Sequence, residues 1–547
     1  MTRNTTLRIA EKFIGLPLEQ RRQFLARLRQ DGKDFGLLPI PVSRHGLEAI
    51  PLSYAQQRLL FLWQLDPQSA AYNMAAGLRL RGKLDHDRLQ GAFDALIERH
   101  EALRTVFQVD GEQPLQRVLA AEPLALRHVD LGTAGEAELA RQVEDEVSRP
   151  FDLLKGPLLR ASLFRLGQDE YVLVVCMHHI VCDGWSMDVM VREFVQCYQA
   201  GPQSLPALPL QYADYAVWQR RWLEAGEGER QLQHWREQLG DDHPLLEVAA
   251  DFPRPPVQSL QGETLKFDFG GPLSQRLRDA ARAQGVTLFM LMLTGYAVFL
   301  SRHSGQRDMR IGVPNANRGR EEVEGLIGFF VNTQVLRCVV DERLSLSELL
   351  VQVREATLAA QANQELPFEQ LVEVLAPERS LGHNPLFQAK FNQNVGVQKQ
   401  TALQLPGLAV SEYPLRKEGT HFDLALDITD DGSLVHGEMT YASDLYQRST
   451  IEGFIAALRE LFDTLLTAPD TPLHTLVKGL SQRLPATVSS RPWFCSVGTS
   501  RCAASPKASR PRVRGSSSAM PNWTAKPIAW PISCATWVSP RGHRSRC

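Results

Sequence analysis

The stretch from residue 171 to residue 198, YVLVVCMHHIVCDGWSMDVMVREFVQCY, constrains the fold more than any other part of the chain. Its opening run of aliphatic and aromatic residues predicts a strand that is buried on both faces. Beyond Asp183 and Gly184, apolar residues recur at three- and four-residue steps, which predicts an amphipathic helix. His178 and His179 therefore lie where a buried strand ends and a turn begins, a common location for chemistry.

Strand geometry separates these two histidines. Successive strand side chains point to opposite faces, so His178 and His179 cannot easily serve one site together. We expect one ring to face a cavity and the other to support the local structure; the plainer alternative is a pair of packed core histidines. Cys176, Cys182 and Asp183 lie nearby, but their spacing matches no tetrahedral pattern, so we predict no metal site.

The length and charge of the chain limit its class. A chain of 547 residues predicts two to four domains. Twelve of the 60 basic residues follow Asp470 but none of the 62 acidic ones does, so residues 1–470 carry a net charge of −14. An acidic body argues against a nucleic-acid partner.

The sequence also predicts a cytoplasmic protein. Charged residues follow Met1 directly, so we expect no signal peptide. The most apolar helix candidate, 286–300, is too short to span a bilayer, so we expect no membrane partner. The four cysteines of the first 480 residues form no closely spaced pairs and predict reduced thiols.

The order of predicted elements suggests two α/β lobes with a site between them. Residues 8–30 predict two helices broken at Pro17, which are either a docking appendage or the first layer of the fold. The proline-rich segment 253–261 is expected to cross between the lobes. Further helices are predicted at 52–65, 86–100, 211–239, 286–304, 344–362 and 449–466, and strands at 309–313, 327–337, 384–394 and around 424–441.

Seven motifs together resemble the condensation domain of non-ribosomal peptide synthetases. HHIVCDG matches the HHxxxDG signature of that family, and the others occur in the family's order between residues 53 and 388: SYAQQRL, RHEALRTVF, YADYAVW, IGFFVNTQVLR, NQELPFE and NPLFQ. The resemblance covers about residues 8–475. It implies an α/β fold with two chloramphenicol-acetyltransferase-like lobes in a V and a central tunnel.

The domain boundaries expected from this resemblance divide the chain into four parts. They are a helical segment and linker (1–45), an N-terminal lobe (46–225), a C-terminal lobe (226–475) and a tail (476–547).

The resemblance implies amide bond formation in secondary metabolism. An upstream carrier protein presents an acyl or peptidyl thioester, and the amine of an aminoacyl group on a downstream carrier attacks it. The domain itself would bind no cofactor; phosphopantetheine arms of the carriers bring the substrates. Other synthetase modules are further expected partners.

Residue roles carry over by motif position. His179 is the expected catalytic residue, as a base or as a group that holds the amine in line, and His178 supports it. Asp183 is expected to pair with Arg58, since a buried carboxylate needs such a partner. Gly184 is expected to permit a tight turn and close substrate approach. Three more residues are expected to line or brace the tunnel: Trp185, Ser186 and Asn332.

Related classes remain as alternatives. Heterocyclisation domains replace the histidine pair, which this chain keeps, and epimerisation domains usually lack the VNTQ stretch seen at 331–334. The helical start and the VNTQVLR wording resemble condensation domains that accept a D-configured donor, as in siderophore- or lipopeptide-type synthetases. A non-catalytic carrier-docking remnant of a truncated synthetase is the alternative from another class.

The tail after about residue 481 differs in amino-acid composition from the rest of the chain. Residues 484–547 hold four of the nine tryptophans and no acidic residue. The charge and the proline content fit a disordered segment, but such segments rarely carry so much tryptophan and cysteine. If residues 518–540 are back-translated with GC-rich codons and the DNA is read one frame over, the product can resemble the first core motif of an adenylation domain. We therefore interpret the tail as an unstructured product of a frameshift, which the DNA sequence would test.

Overall fold

The computed structural model describes residues 3–476 apart from 45–46, 48, 110–112, 133, 376–379, 381, 396–404 and 416–418. The suspected frameshifted tail beyond residue 476 lies outside the described residues, so that interpretation stays a prediction.

Helices and strands alternate along the described chain. The helices are α1 (Arg3–Gly15), α2 (Leu18–Gln30), α3 (Tyr54–Leu65), α4 (His86–Arg99), α5 (Gly135–Val147), α6 (Gly184–Ala200), α7 (Tyr212–Trp222), α8 (Gly228–Leu239), α9 (Gly271–Ala283), α10 (Leu288–Ser304), α11 (Glu321–Glu324), α12 (Leu346–Gln361), α13 (Phe368–Leu375), α14 (Arg448–Leu465) and α15 (Leu473–Leu476). The strands are β1 (Ile50–Pro51), β2 (Asn73–Gly82), β3 (Thr105–Gln108), β4 (Leu115–Val118), β5 (Arg127–Asp130), β6 (Leu159–Arg165), β7 (Glu170–His178), β8 (Gly262–Asp268), β9 (Asp308–Asn315), β10 (Asn332–Val339), β11 (Ala389–Val395), β12 (Leu408–Glu412), β13 (Leu424–Asp430) and β14 (Val435–Ala442).

Strand β7 is the centre of the sheet in the first half of the chain. The order of this sheet is β12-β2-β7-β6-β5, and β7 pairs antiparallel with both of its neighbours. Leu173 packs on one face with Phe93 of α4 and Phe194 of α6. Val174 packs on the other face with Leu139 of α5. Helices on both faces explain why β7 is apolar at successive positions, as predicted.

The second half of the chain builds a separate core around a larger sheet. The order of that sheet is β10-β9-β11-β13-β14-β8, with β11 parallel to both β9 and β13. Helix α10 is buried at every position from Met290 to Ser301. It packs among helices α9, α12 and α14, which accounts for its apolar residues on all sides. A small sheet of order β1-β4-β3 lies in the first half.

One strand from the second half completes the first sheet. Strand β12 pairs antiparallel with β2, with Leu408 opposite Gly82. Gly82 has a φ of 126°, and a Cβ there would lie 2.2 Å from the backbone oxygen of Gly407. Glycine is therefore required where the two segments meet. The four boundaries expected from the resemblance stay a prediction.

The two N-terminal helices pack into the fold. Phe13 and Leu25 share a buried cluster with Phe35 and with Trp222 of α7. Arg21 donates a hydrogen bond of 2.9 Å to the backbone oxygen of Arg221. Of the two interpretations left open by the sequence, these contacts favour the first layer of the fold.

Three predicted elements differ from the structure. The strand predicted at 384–394 begins only at Ala389. The strand predicted at 327–337 begins only at Asn332, because the preceding residues form a loop whose backbone binds side chains of the first half. The long helix predicted at 211–239 is broken between α7 and α8, where Gly226 has a φ of 105°.

No single helix of the described residues is long and apolar enough to cross a membrane. Helices α9 and α10 reach the length and apolar composition of a membrane span only when they are taken together, and they are bent by 108° relative to each other.

Candidate active site

The signature motif folds as a strand, a turn and a helix, as predicted. Strand β7 ends at His178, residues His179–Val181 form one 3₁₀ turn, and α6 starts at Gly184. Asp183 caps this helix, because its Oδ1 accepts a hydrogen bond of 2.8 Å from the backbone N–H of Ser186.

One ring nitrogen of His179 makes a hydrogen bond, and the other makes none to the residues that the structure describes. Its Nδ1 lies 2.6 Å from the backbone oxygen of Cys182, and its backbone N–H donates to the oxygen of Tyr72 at 2.8 Å. A carbonyl oxygen can only accept, so Nδ1 carries the proton and Nε2 keeps its lone pair. Burial lowers the pKa of His179 and keeps this neutral form at neutral pH. Phe329 lies against the ring, with 4.7 Å between centroids.

His178 has the opposite tautomer and a different environment. It is 3 % exposed, and its Nδ1 accepts a hydrogen bond of 3.1 Å from the N–H of Ile180, so its proton is on Nε2. The rings of Phe151 and Tyr72 lie beside it. Burial lowers its pKa to about 3. These contacts fit the predicted supporting role.

Asp183 pairs with Arg318 and not with Arg58, which corrects the predicted pairing. Oδ1 of Asp183 lies 3.1 Å from Nη2 of Arg318, and both side chains are buried. Arg58 instead binds Glu369 at 2.8 Å, and both of those side chains are partly exposed. The physical argument that the buried carboxylate needs a cation was right, but the cation comes from the loop after β9.

Sequence reasoning missed Arg318. Its Nη1 donates to the backbone oxygens of Val323 and Leu326, both at 2.7 Å, and its guanidinium lies 4.1 Å from the ring centroid of Phe330. It thereby fixes the loop that places Phe329 against His179. The sequence could have indicated it, because Asp183 needs a cation and Arg318 is one of the arginines near the end of a predicted strand.

The remaining predicted residues brace this region. Ser186 Oγ lies 2.7 Å from Asp183 Oδ1 and 2.8 Å from the backbone oxygen of Gly328. Asn332 donates to the backbone oxygens of Gln364 and Leu366 and accepts from the N–H of Phe368. Trp185 is 42 % exposed and donates to the oxygen of Glu324 at 2.9 Å. Bracing contacts are therefore present for all three.

Gly184 does not need to be glycine for the turn. Its φ is not in the left-handed region, and no atom lies within 4 Å of a Cβ built there. The predicted tight-turn role is therefore wrong. Close approach of a substrate at this open position stays a prediction.

Side chains from both halves surround His179. Arg58 from α3 and His421, just before β13, are near enough to affect its charge or to be affected by it. A small cleft lies beside Phe329 and is also lined by Asn332 and Glu369. Among the described residues no group of three His, Cys, Asp or Glu side chains is placed to hold a metal ion.

The comparisons with known proteins identify the family. The model of the family "Condensation domain" matches residues 47–482. The chain belongs to the condensation domain family. Malpinin synthetase of Mortierella alpina is 41% identical over 440 residues, which are 79% of this chain and 6% of that protein. Phosphinothricin tripeptide synthetase PhsC of Streptomyces viridochromogenes is 39% identical over 479 residues, 85% of this chain and 44% of that protein. The chain thus spans less than half the length of either relative.

Solved structures confirm the fold class. The X-domain from teicoplanin biosynthesis is similar with a TM-score of 0.71 and 27% identity, covering 78% of this chain and 97% of that one. The first condensation domain of the calcium-dependent antibiotic synthetase, solved with a substrate analogue, gives a TM-score of 0.63 at 22% identity, covering 78% and 98%. The predicted α/β, chloramphenicol-acetyltransferase-like fold is confirmed.

Proposed function

We propose that this chain forms amide bonds between a donor acyl or peptidyl thioester and the amine of an aminoacyl thioester. Membership of the condensation domain family and the similarity to peptide synthetases support this reaction class. The observation that carries the assignment to His179 is its contact with the oxygen of Cys182, which leaves Nε2 as a hydrogen-bond acceptor.

The neutral His179 ring suits the proton transfers of this reaction. The amine nitrogen attacks the thioester carbon, a C–N bond forms, the C–S bond breaks, and one amine proton must reach the departing sulfur. Nε2 accepts that N–H as the bond forms, and it either removes the proton and returns it to the thiolate or only orients the amine. The held Nδ1–H fixes the ring orientation in both cases.

Asp183, Arg318 and Ser186 act as positioning residues in this proposal. They join the start of α6 to the loop that carries Phe329, and so they hold the wall opposite His179. Asn332 fixes the start of β10 in the same way. Gly184 leaves open space that a substrate can enter.

The partners in this proposal are an upstream donor and a downstream acceptor carrier protein. Their phosphopantetheine arms bring the substrates, so the chain itself holds no cofactor. We also propose a cytoplasmic location, which is supported by the four described cysteines, all of them free thiols.

The test uses the full chain with donor and acceptor carriers loaded in trans, and it detects the dipeptidyl thioester by mass spectrometry. We expect product from the native protein and a loss of about 10²- to 10⁴-fold in His179→Ala. His179→Gln, which keeps an acceptor but no base, separates the two roles: near-native rates indicate positioning, and a loss equal to that of His179→Ala indicates a base. The exposed His128 provides the control His128→Ala.

Two outcomes would contradict the proposal. The first is no product from the native protein, with both carriers still bound; this outcome would favour the docking remnant. The second is an undiminished yield from His179→Ala.

A further inference from the structure

Two aromatic rings from opposite halves of the chain stack beside the histidine pair. Tyr72 immediately precedes β2, and His421 shortly precedes β13 in the other sheet. Their ring centroids are 5.7 Å apart and their planes differ by 16°. The sequence motifs singled out neither residue.

The backbone of Tyr72 ties this stack to His179. Its oxygen accepts the N–H of His179 at 2.8 Å, and its ring lies 6.4 Å from that of His178. One hydrogen bond therefore joins the backbone of the stack to that of the expected catalytic residue, so a shift of Tyr72 would move His179.

Exposure increases from the histidine turn toward the stack. His178, Ile180, Val181 and Cys182 are buried, whereas His179 and Tyr72 are partly accessible and His421 is exposed. Among the described residues, neither ring nitrogen of His421 has a hydrogen-bond partner. An accessible ring that is near enough to His179 to feel its charge is placed to touch a substrate that approaches Nε2.

The stack and its surroundings favour an uncharged substrate group. Burial of the ring lowers the pKa of His421, and the positive charge of Arg58 lowers it further. Glu369 offsets part of the Arg58 charge through their ion pair. Asp423, two residues along the chain from His421, is bound to Arg254. The stack is thus a neutral wall at neutral pH.

We propose that the Tyr72–His421 stack is the wall that selects the side chain of the acceptor aminoacyl group. This inference rests on the proposed function: if Nε2 of His179 accepts the amine N–H at about 3 Å, the Cα that bears the side chain is one bond farther away. A side chain that is too large must then displace one of the two rings. Size misfits in such pockets change kcat/KM by about 10- to 200-fold.

The test compares glycyl and phenylalanyl N-acetylcysteamine thioesters as acceptors, with one fixed donor and the full chain. We expect His421→Ala to raise the phenylalanyl-to-glycyl ratio of kcat/KM about 10-fold, mainly through KM. His421→Phe keeps a ring against Tyr72 and should leave that ratio within about 2-fold of the native value, as should the control His128→Ala. A purely structural role would lower both rates together and leave the ratio unchanged.

A binding measurement distinguishes failure of this inference from failure of the proposed function. Saturation-transfer NMR with the same two thioesters reports their relative affinity without any turnover. If the native protein forms no product, the reaction assignment fails, and a changed affinity ratio in His421→Ala still supports the wall. An affinity ratio and a kcat/KM ratio that are both unchanged in His421→Ala overturn the inference.

Discussion

Asp183 and Arg318 form a buried ion pair, with 3.1 Å between Oδ1 and Nη2, across 135 residues of sequence. Asp183 also caps α6, and its Oδ2 accepts the backbone N–H of Phe330 at 3.0 Å. Arg318 binds the loop that precedes Phe330. One carboxylate therefore connects the histidine turn, the following helix and the loop that covers His179.

Removing one partner of this pair should destabilise the protein strongly. Asp183→Asn leaves the Arg318 guanidinium buried without its counter-charge, and such changes cost about 3–5 kcal/mol. We expect the free energy of unfolding, measured by urea denaturation, to fall by that amount. Amide formation should fall as well, because the loop that carries Phe329 loses its anchor.

The ion pair between Arg58 and Glu369 is the matched control. Both side chains are partly exposed, so Arg58→Ala should cost no more than about 1 kcal/mol. Equal losses in Asp183→Asn and Arg58→Ala would contradict the assignment of Arg318 as the essential partner.

Local sequence was enough to predict the strand, turn and helix around His178 and His179. The apolar run of β7, the Asp183 cap and the stripe of α6 all act within a few residues of one another. The pairing of Asp183 with Arg318 could not be read in this way, because nothing in the sequence places the loop after β9 beside α6. Arg58 was chosen for its position in a motif, while its true partner Glu369 lies 311 residues away.

The start of β10 shows the same limit. Residues 327–331 are as apolar as a strand, but the N–H of Phe330 binds the Asp183 carboxylate. A long-range polar contact therefore replaced the pairing that the local pattern predicted. No sequence pattern pointed to His421, because Tyr72 and His179, the residues near it in the structure, belong to the other half of the chain.

Gly328→Ala should disturb the loop over His179 through one close contact. A Cβ at Gly328 would lie 2.0 Å from the ring of Tyr212, which is buried and bound to the backbone oxygen of Phe329. Overpacking of this kind costs about 1–3 kcal/mol, and we expect a loss of this size by urea denaturation together with a lower kcat. Gly325→Ala is the control, since its nearest neighbour is 3.9 Å away. A fully active and stable Gly328→Ala would show that the loop can move without consequence.

His178 should make stability depend on pH below neutrality. Its pKa falls from 6.5 in the unfolded chain to about 3 in the folded one, because burial disfavours the charged ring. Above pH 6.5 the ring is neutral in both states, and His178 does not lower the free energy of unfolding. As the pH falls from 6.5 toward 3, the free energy of unfolding decreases by up to about 1.4 kcal/mol per pH unit, because only the unfolded chain takes up the proton. His178→Asn keeps an acceptor for the N–H of Ile180 but cannot titrate. Unfolding free energies between about pH 7 and pH 4 should fall less steeply in this variant, whereas parallel curves would contradict the prediction.

The N-terminal helices should contribute to the stability of the whole fold. Phe13 is fully buried, and its ring lies 4.2 Å from that of Phe35, which in turn contacts Trp222 of α7. Phe13→Ala removes a ring from this cluster, and such substitutions cost about 3–5 kcal/mol. We expect this loss in a single urea transition that includes the signal of Trp222, because the cluster joins α1 to α7. Leu18→Ala, at a residue that is 40 % exposed, should change little. An early transition that spares the tryptophan signal would show instead that α1 and α2 are a separate appendage.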